Sequence, residues 1–266
     1  MAVRTSYPAL RVPETHASYP GADALEAFDT ASIHLIKSRD LLVRTDIKFF
    51  GRAALLDNVL PLLAPHYAVI RVPAGCAAYY QSVYFDTPDL RCYHDHRRGR
   101  RLRHKVRIRH YPDRQLSFLE LKSKKNARVT DKHRMKLPYG QTELDEEGRD
   151  FLKELCDLPV DELEPTLSNH FRRISLIGLE RRERVTIDVE LGFDHRGASG
   201  GFDGLTVIEV KQHPYDPHSP VMTALHDVGM RERSLSKYTT AIARLSPGIA
   251  RNRLLPLLRT LDRTIA

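Results

Sequence analysis

The chain has 266 residues, 41% of them hydrophobic and 29% charged, which fits one large or two small globular domains and excludes a disordered chain. Lysine and arginine outnumber aspartate and glutamate 42 to 34, and the net charge of +8 points to anionic partners: nucleic acid, acidic lipid or phosphorylated small molecules. Cys76, Cys92 and Cys156 show no C-x-x-C spacing, so neither a disulfide framework nor a zinc site follows; without a membrane-length apolar run or a signal-peptide core at the start, a cytoplasmic protein is expected.

Residues 1–30 are rich in Pro, Ala, Ser and Thr and read as a flexible arm, ahead of a domain over 31–246. In 43–50, Arg44, Asp46 and Lys48 alternate with Val43, Thr45, Ile47 and Phe49, the period of a strand with one polar face. Apolar spacing predicts a helix over 52–64, kinked or ended by Pro61. Tyr79, Tyr80, Tyr84 and Tyr93 sit among apolar neighbours and read as core, His94-Asp95-His96 as a solvated loop, and Arg97 to Arg103 around Gly99 as a hairpin turn. Further strands are expected at 104–111, with Lys105, Arg107 and Arg109 on one face; at 118–124, with Glu120, Lys122 and Lys124; and at 131–137, with Lys132, Arg134 and Lys136. A helix follows at 144–156, with acids in its first turn, and another is expected at 166–178. The last strands are 184–190, with Arg184, Thr186, Asp188 and Glu190 on the polar face, and 206–211, with Glu209 and Lys211. Helices are expected at about 220–229 and 236–245, with an amphipathic C-terminal helix packed on the domain within 247–266.

Any one of these strands is an ordinary wet-faced antiparallel strand. Together their polar faces are almost wholly Lys, Arg, Glu and Asp, where a solvent face would carry many Thr, Ser and Gln. An open sheet would make this a basic plate for a nucleic-acid backbone. A closed or nearly closed antiparallel β-barrel would turn the charges inward and pack helices on its outside, an α+β fold whose interior needs a polyanion or metal. The acids favour the barrel: Glu120-x-Lys122 and Glu209-x-Lys211 set carboxylates beside cations, which suits Mg²⁺ or Mn²⁺ bridging phosphate oxygens, although cross-strand ion pairs account for them equally well.

The ordered set R-x-D-x-K (44–48), VYFDT (83–87), K-x-R-x-R (105–109), LELKSK (119–124), EPTLSNHFRR (164–173), RVTID (184–188), VIEVK (207–211) and SLSKY (234–238) resembles the VTC family, the polyphosphate polymerase domains of the triphosphate tunnel metalloenzyme superfamily, related to the CYTH proteins. The resemblance implies an antiparallel β-tunnel lined with cations, a divalent metal (Mn²⁺ or Mg²⁺), and transfer of the γ-phosphate of ATP to inorganic polyphosphate with release of ADP. By position, Lys48, Arg107, Arg109, Lys122, Arg173 and Arg184 resemble the phosphate-binding wall, joined by Lys132 and Arg134; Glu209 resembles the metal ligand, and Ser236 and Lys237 a phosphate-contacting lid. The strand faces add Lys105, Lys124 and Lys211 as phosphate contacts and Glu120 as a second metal-directed acid. Asp46 stands where the family usually has Glu, and Phe171 where Tyr is common.

Two alternatives remain from the residues. The same tunnel would serve a triphosphatase that admits water in place of an acceptor chain. A non-catalytic binder of polyphosphate or RNA would keep its function in Glu209→Gln, but specific nucleic-acid recognition is not expected without Trp and without tyrosines placed as stacking platforms. For the tunnel, losing Arg107 and Arg109 together is expected to abolish triphosphate binding while apo stability holds or rises.

Overall fold

The computed structural model describes residues 18–41, 43–125 and 130–265. In chain order its elements are α1 (Ile33–Ser38), β1 (Thr45–Arg52), α2 (Leu56–Leu63), β2 (Tyr67–Val69), β3 (Ala77–Asp86), α3 (Arg91–Arg98), β4 (Arg103–Tyr111), β5 (Leu116–Lys124), β6 (Thr130–Leu137), α4 (Glu146–Leu155), β7 (Glu164–Gly178), β8 (Glu183–His195), β9 (Ala198–Gly201), β10 (Leu205–Gln212), α5 (Pro220–Asp227), α6 (Lys237–Leu245) and α7 (Leu255–Ile265). Residues 1–17 of the expected arm lie outside the described residues. From 23 onward the chain is docked by Leu25 and Phe28, both buried.

The strands form one antiparallel sheet in the order β1-β10-β8-β7-β3-β4-β5-β6, with β2 on β7 and β9 on β8. Among the described residues it is not closed by strand pairing, and β1 and β6 are its edges. The sheet curls all the same, bringing Lys122 of β5 within reach of the charges of Lys48 and Asp46 on β1. The free edge of β1 is covered by the segment after α5, through a bridge between Phe49 and Glu232 and a 2.7 Å hydrogen bond from the Arg233 amide to the Lys48 carbonyl.

Alternation along each strand sends the apolar residues outward, where helices cover them. Ile47, Phe49, Ile187, Ile208 and Val210 pack with Leu56, Val59, Leu60 and Leu63 of α2 and with Val221, Met222 and Leu225 of α5. At the other end of the sheet, Val83, Val106, Ile108, Leu119 and Leu121 meet Cys92 and Tyr93 of α3 and Leu152 of α4. Pro61 lies inside α2 without ending it. The helix α6 departs from the outside arrangement: Tyr238 and Ile242 join a cluster with Phe50, Phe171 and Val207, which share the inner face, so α6 closes over one end of the interior.

The structure corrects three expectations. Residues 166–178 are strand, part of the 15-residue β7, not helix. Leu167, Phe171 and Ile174 mimic a helical stripe because a central strand, bonded to β3 and β8 and covered on both sides, carries apolar residues on both faces. His94, Asp95 and His96 lie on α3 with Arg97 and Arg98, and Gly99 (φ 72°) ends that helix where a hairpin was expected. Glu190 leaves the polar face of β8 at a bulge, with φ 53°, and pairs with Arg172 instead of facing the interior.

Ile187, fully buried in the centre of the sheet, tests this layering. Ile187→Ala is expected to lose about 2–5 kcal/mol in urea unfolding, while Val43→Ala, at a site 74% exposed, stays close to the parent; equal effects would contradict the assignment of faces.

Candidate active site

The register decides what lines the interior. Lys48 stands opposite Glu209, and Glu209 opposite Thr186; Asp188 stands opposite Arg173. Across β3, Tyr80 faces Phe171, and Ser82 and Tyr84 face Arg109 and Arg107. Arg107 is then opposite Glu120, and Lys105 opposite Lys122, which is opposite Lys132. One inner face therefore brings together Lys48, Lys105, Arg107, Arg109, Lys122, Lys132, Arg173 and Lys211, and α6 adds Lys237 from its first turn.

Three interior carboxylates each sit between two cations. Glu120 accepts from Arg107 through Nε at 2.8 Å and Nη2 at 2.6 Å, with Lys132 Nζ 2.5 Å from its other oxygen. Asp188 takes a two-pronged contact from Arg173, at 2.6 and 2.8 Å, and the ammonium of Lys237. Glu209 lies 2.5 Å from Lys211 and 3.4 Å from Lys48. Burial would raise all three pKa values, but the adjoining cations outweigh it and hold each carboxyl well below its usual range.

The remaining cations have no such answer. Lys105, Arg109 and Lys122 form no ion pair among the described residues. Lys105 donates to the Ser236 hydroxyl at 2.9 Å, and Arg109 to Ser82 at 3.1 Å. Burial, then Lys122, Lys48 and Arg107, push Lys105 well below the ordinary lysine value. His96 stands in the same field, and burial together with Lys105 and Arg103 lowers its pKa to about 2, so it adds no charge there. Aromatic faces carry part of the load: Phe171 has Arg109, Arg173 and Lys237 within 5.8, 5.2 and 4.6 Å of its ring, and Tyr80 lies under Arg109 and Arg173. The missing hydroxyl at position 171 thus coincides with a ring used as a cation platform.

Among the other singled-out residues, Arg184 is in register with Lys211 towards the far end of β8, and Lys124 with Arg103 and Thr130 at the end of β5. Arg134 lies on edge strand β6, its guanidinium 5.1 Å from the Phe118 ring. Asp46 pairs with Arg44 at 2.8 Å.

The sequence placed Asp188 on a polar strand face and Tyr80 in the core but assigned no site role to either, nor to Asp86. Fully buried Asp86 accepts from the amides of Thr87, Cys92 and Tyr93, which fixes the start of α3, and from the hydroxyl of Tyr238. Tyr238 stacks on Tyr84 at 5.1 Å, and Tyr84 in turn accepts from Arg107 at 3.2 Å. Asp86 therefore anchors the turn that carries Ser236 and Lys237. In the sequence Asp86 stood out only as a member of VYFDT.

The model of the VTC domain matches residues 43–246, and the chain belongs to that family. A search of curated proteins finds no match. Among solved structures, a proposed adenylate cyclase from Bacillus halodurans aligns at 14% identity over 76% of this chain and 96% of its own, with a TM-score of 0.49. A proposed adenylyl cyclase from Hippeastrum, described as having a dominant triphosphatase activity, aligns at 14% identity over 77% of this chain and 98% of its own, with a TM-score of 0.45.

The ion pair between Arg107 and Glu120 revises the expectation for cation removal. Arg107→Ala leaves a buried carboxylate with one partner and is expected to cost about 3–5 kcal/mol. Lys122→Met removes a cation without a counter-ion and should leave the apo unfolding midpoint unchanged or higher. Thermal and urea unfolding of the two variants check this; destabilisation by Lys122→Met equal to that by Arg107→Ala would overturn the distinction.

Proposed function

We propose that this chain is a metal-dependent polyphosphate polymerase, transferring the γ-phosphate of ATP to the end of an inorganic polyphosphate chain and releasing ADP. Family membership supports triphosphate or polyphosphate chemistry. The observation that carries the reading is the set of inner-face cations without an ion-pair partner among the described residues, Lys105, Arg109 and the exposed Lys122, which a multivalent phosphate chain would neutralise at one stroke.

Phosphoryl transfer asks the protein for charge neutralisation and in-line positioning more than for a nucleophile. In this reading Lys48, Arg107, Arg109, Lys122, Arg173 and Arg184 bind the donor phosphates. Lys105, Lys124, Lys132, Arg134, Lys211 and Ser236 extend the track, and Lys237 closes on the chain from α6. The attacking oxygen belongs to the terminal phosphate of the acceptor. Arginines are suited to the deepest positions because they keep their charge among other cations and grip phosphate with two bonds. The catalytic unit spans 31–246, with 247–266 packed on it.

A divalent cation, Mn²⁺ or Mg²⁺, fits the donor set in one way. Among the described residues no three His, Cys, Asp or Glu side chains come together as a cage, so the ion would share a protein carboxylate with substrate oxygens. Both oxygens of Glu120 are engaged by Arg107 and Lys132 and its side chain is 2% exposed; Glu209, at 22%, is the more accessible carboxylate. Bound there, the cation would supply further neutralisation of phosphate charge. No described helix is long and apolar enough to cross a membrane, and the substrates in this account are ATP and phosphate chains.

Incubation with ATP and Mn²⁺, with and without a short polyphosphate primer, and product analysis by gel and ³¹P NMR test the proposal. A lengthening ladder with ADP is expected, lost by about a hundredfold or more in Glu209→Gln while tripolyphosphate binding in metal-free buffer persists. Orthophosphate without a ladder would replace the polymerase with a hydrolase. Binding without turnover would leave a non-catalytic receptor.

A further inference from the structure

A second basic feature lies outside the tunnel. The helix α7 and the extended segment before α6 enclose a groove of about 880 Å³ that carries Arg233 from the segment and Arg253, Arg259 and Arg263 from the C-terminal stretch. All four are exposed. Arg259 and Arg263 are one helical turn apart and share a face of α7. None of the four has an ion-pair partner among the described residues, and Asp262, the one acid in the groove, pairs with Arg244 at 2.7 Å. Arg233 is fixed by a 2.9 Å hydrogen bond to Thr260, and Arg253 by the carbonyl of Arg98.

The groove shares a wall with the tunnel. Ser234 lines the groove, while Ser236, two residues further along and so at most about 7 Å away along the chain, receives Lys105 inside. The amide of Arg233 is bonded to the carbonyl of Lys48, a tunnel residue. Arg253, Arg259 and Arg263 all lie beyond the 43–246 span of the family match.

We propose that this groove binds a stretch of linear inorganic polyphosphate, holding along the outer rim a chain too long for the tunnel alone. The inference rests on the tunnel being a phosphate-chain site. Four exposed guanidiniums, two of them fixed by hydrogen bonds, beside a single acid already paired with Arg244, form a local well of positive potential, and each can grip phosphate oxygens in pairs. A flexible, unbranched polyanion meets such a row without further contacts. A single nucleic-acid strand gains much of its affinity from aromatic stacking, and no aromatic residue among the described ones lines the groove. A chain held at both places gains affinity from the linkage of the two sites.

The test is equilibrium binding of tripolyphosphate and of long-chain polyphosphate to the full-length protein and to its R253A/R259A/R263A variant, at moderate salt and without ATP. These exposed replacements should leave the unfolding midpoint in place. Long-chain affinity is expected to fall about tenfold or more with tripolyphosphate affinity unchanged. Unchanged long-chain affinity overturns the groove and spares the tunnel; equal losses for both ligands also overturn it, because the substitutions then act on the tunnel. Tripolyphosphate that fails to bind the unmodified protein refutes the tunnel reading instead, while long-chain binding that still depends on the three arginines sustains the groove. Displacement of long-chain polyphosphate by a single-stranded oligonucleotide at lower concentration would make the groove a nucleic-acid site and end the proposal.

Discussion

Like-charge repulsion inside a curled sheet is the constraint on which the rest of this structure depends. A strand face of lysines and arginines is inexpensive when it looks at water and costly when the sheet turns it towards other strands of the same sign. Three carboxylates, Glu120, Asp188 and Glu209, limit that cost by each taking two cations. They do not cancel it: Lys105, Arg109 and Lys122 stay without a counter-ion among the described residues. Such a site is kept in a state that a bound polyanion would relieve.

The outer layers hold the face in that strained arrangement. Apolar residues of the same strands bury Ile187, Val210 and Ile108 completely under helices, and this burial fixes the register that aims the intervening charges inward. Asp86 extends the control to a distant segment. By capping α3 and accepting from Tyr238 it ties α6 to the end of β3, which brings Lys237 onto Asp188 and Ser236 onto Lys105. Chain packing and site geometry are thus parts of one arrangement.

Much of this was legible in the sequence wherever period-2 alternation met charge. The faces of 104–111, 118–124 and 206–211 lie as their spacing indicated, and Glu209 stands beside Lys211 as expected, whereas Glu120 pairs with Arg107 and Lys132 and not with Lys122. What was not legible arises from two-sided burial and long-range contact. The strand β7 carries apolar residues on both faces, which erases its period and imitates a helix. The exit of Glu190 from the inner face needed a bulge, and a positive φ at a glutamate leaves no sequence signal. Tyr80 looked like core because rings are usually buried for their area, yet its ring supports Arg109 and Arg173. The partnership of Glu120 with Arg107 reversed the expected consequence of removing that arginine, since identity alone does not reveal which cations are paired.

Lys105 offers the most direct test of the central claim, because its ammonium reports the uncompensated field without touching either metal-directed carboxylate. Side-chain NMR would follow its ε-carbon through a pH titration, assigned by Lys105→Met, with and without tripolyphosphate. The account predicts a midpoint well below the ordinary lysine value in the free protein, because burial and neighbouring cations favour the neutral amine, and an upward move when the anion is bound. An ordinary lysine midpoint in the free protein, unmoved by tripolyphosphate, would contradict the view that this interior is a charged receptacle awaiting a phosphate chain.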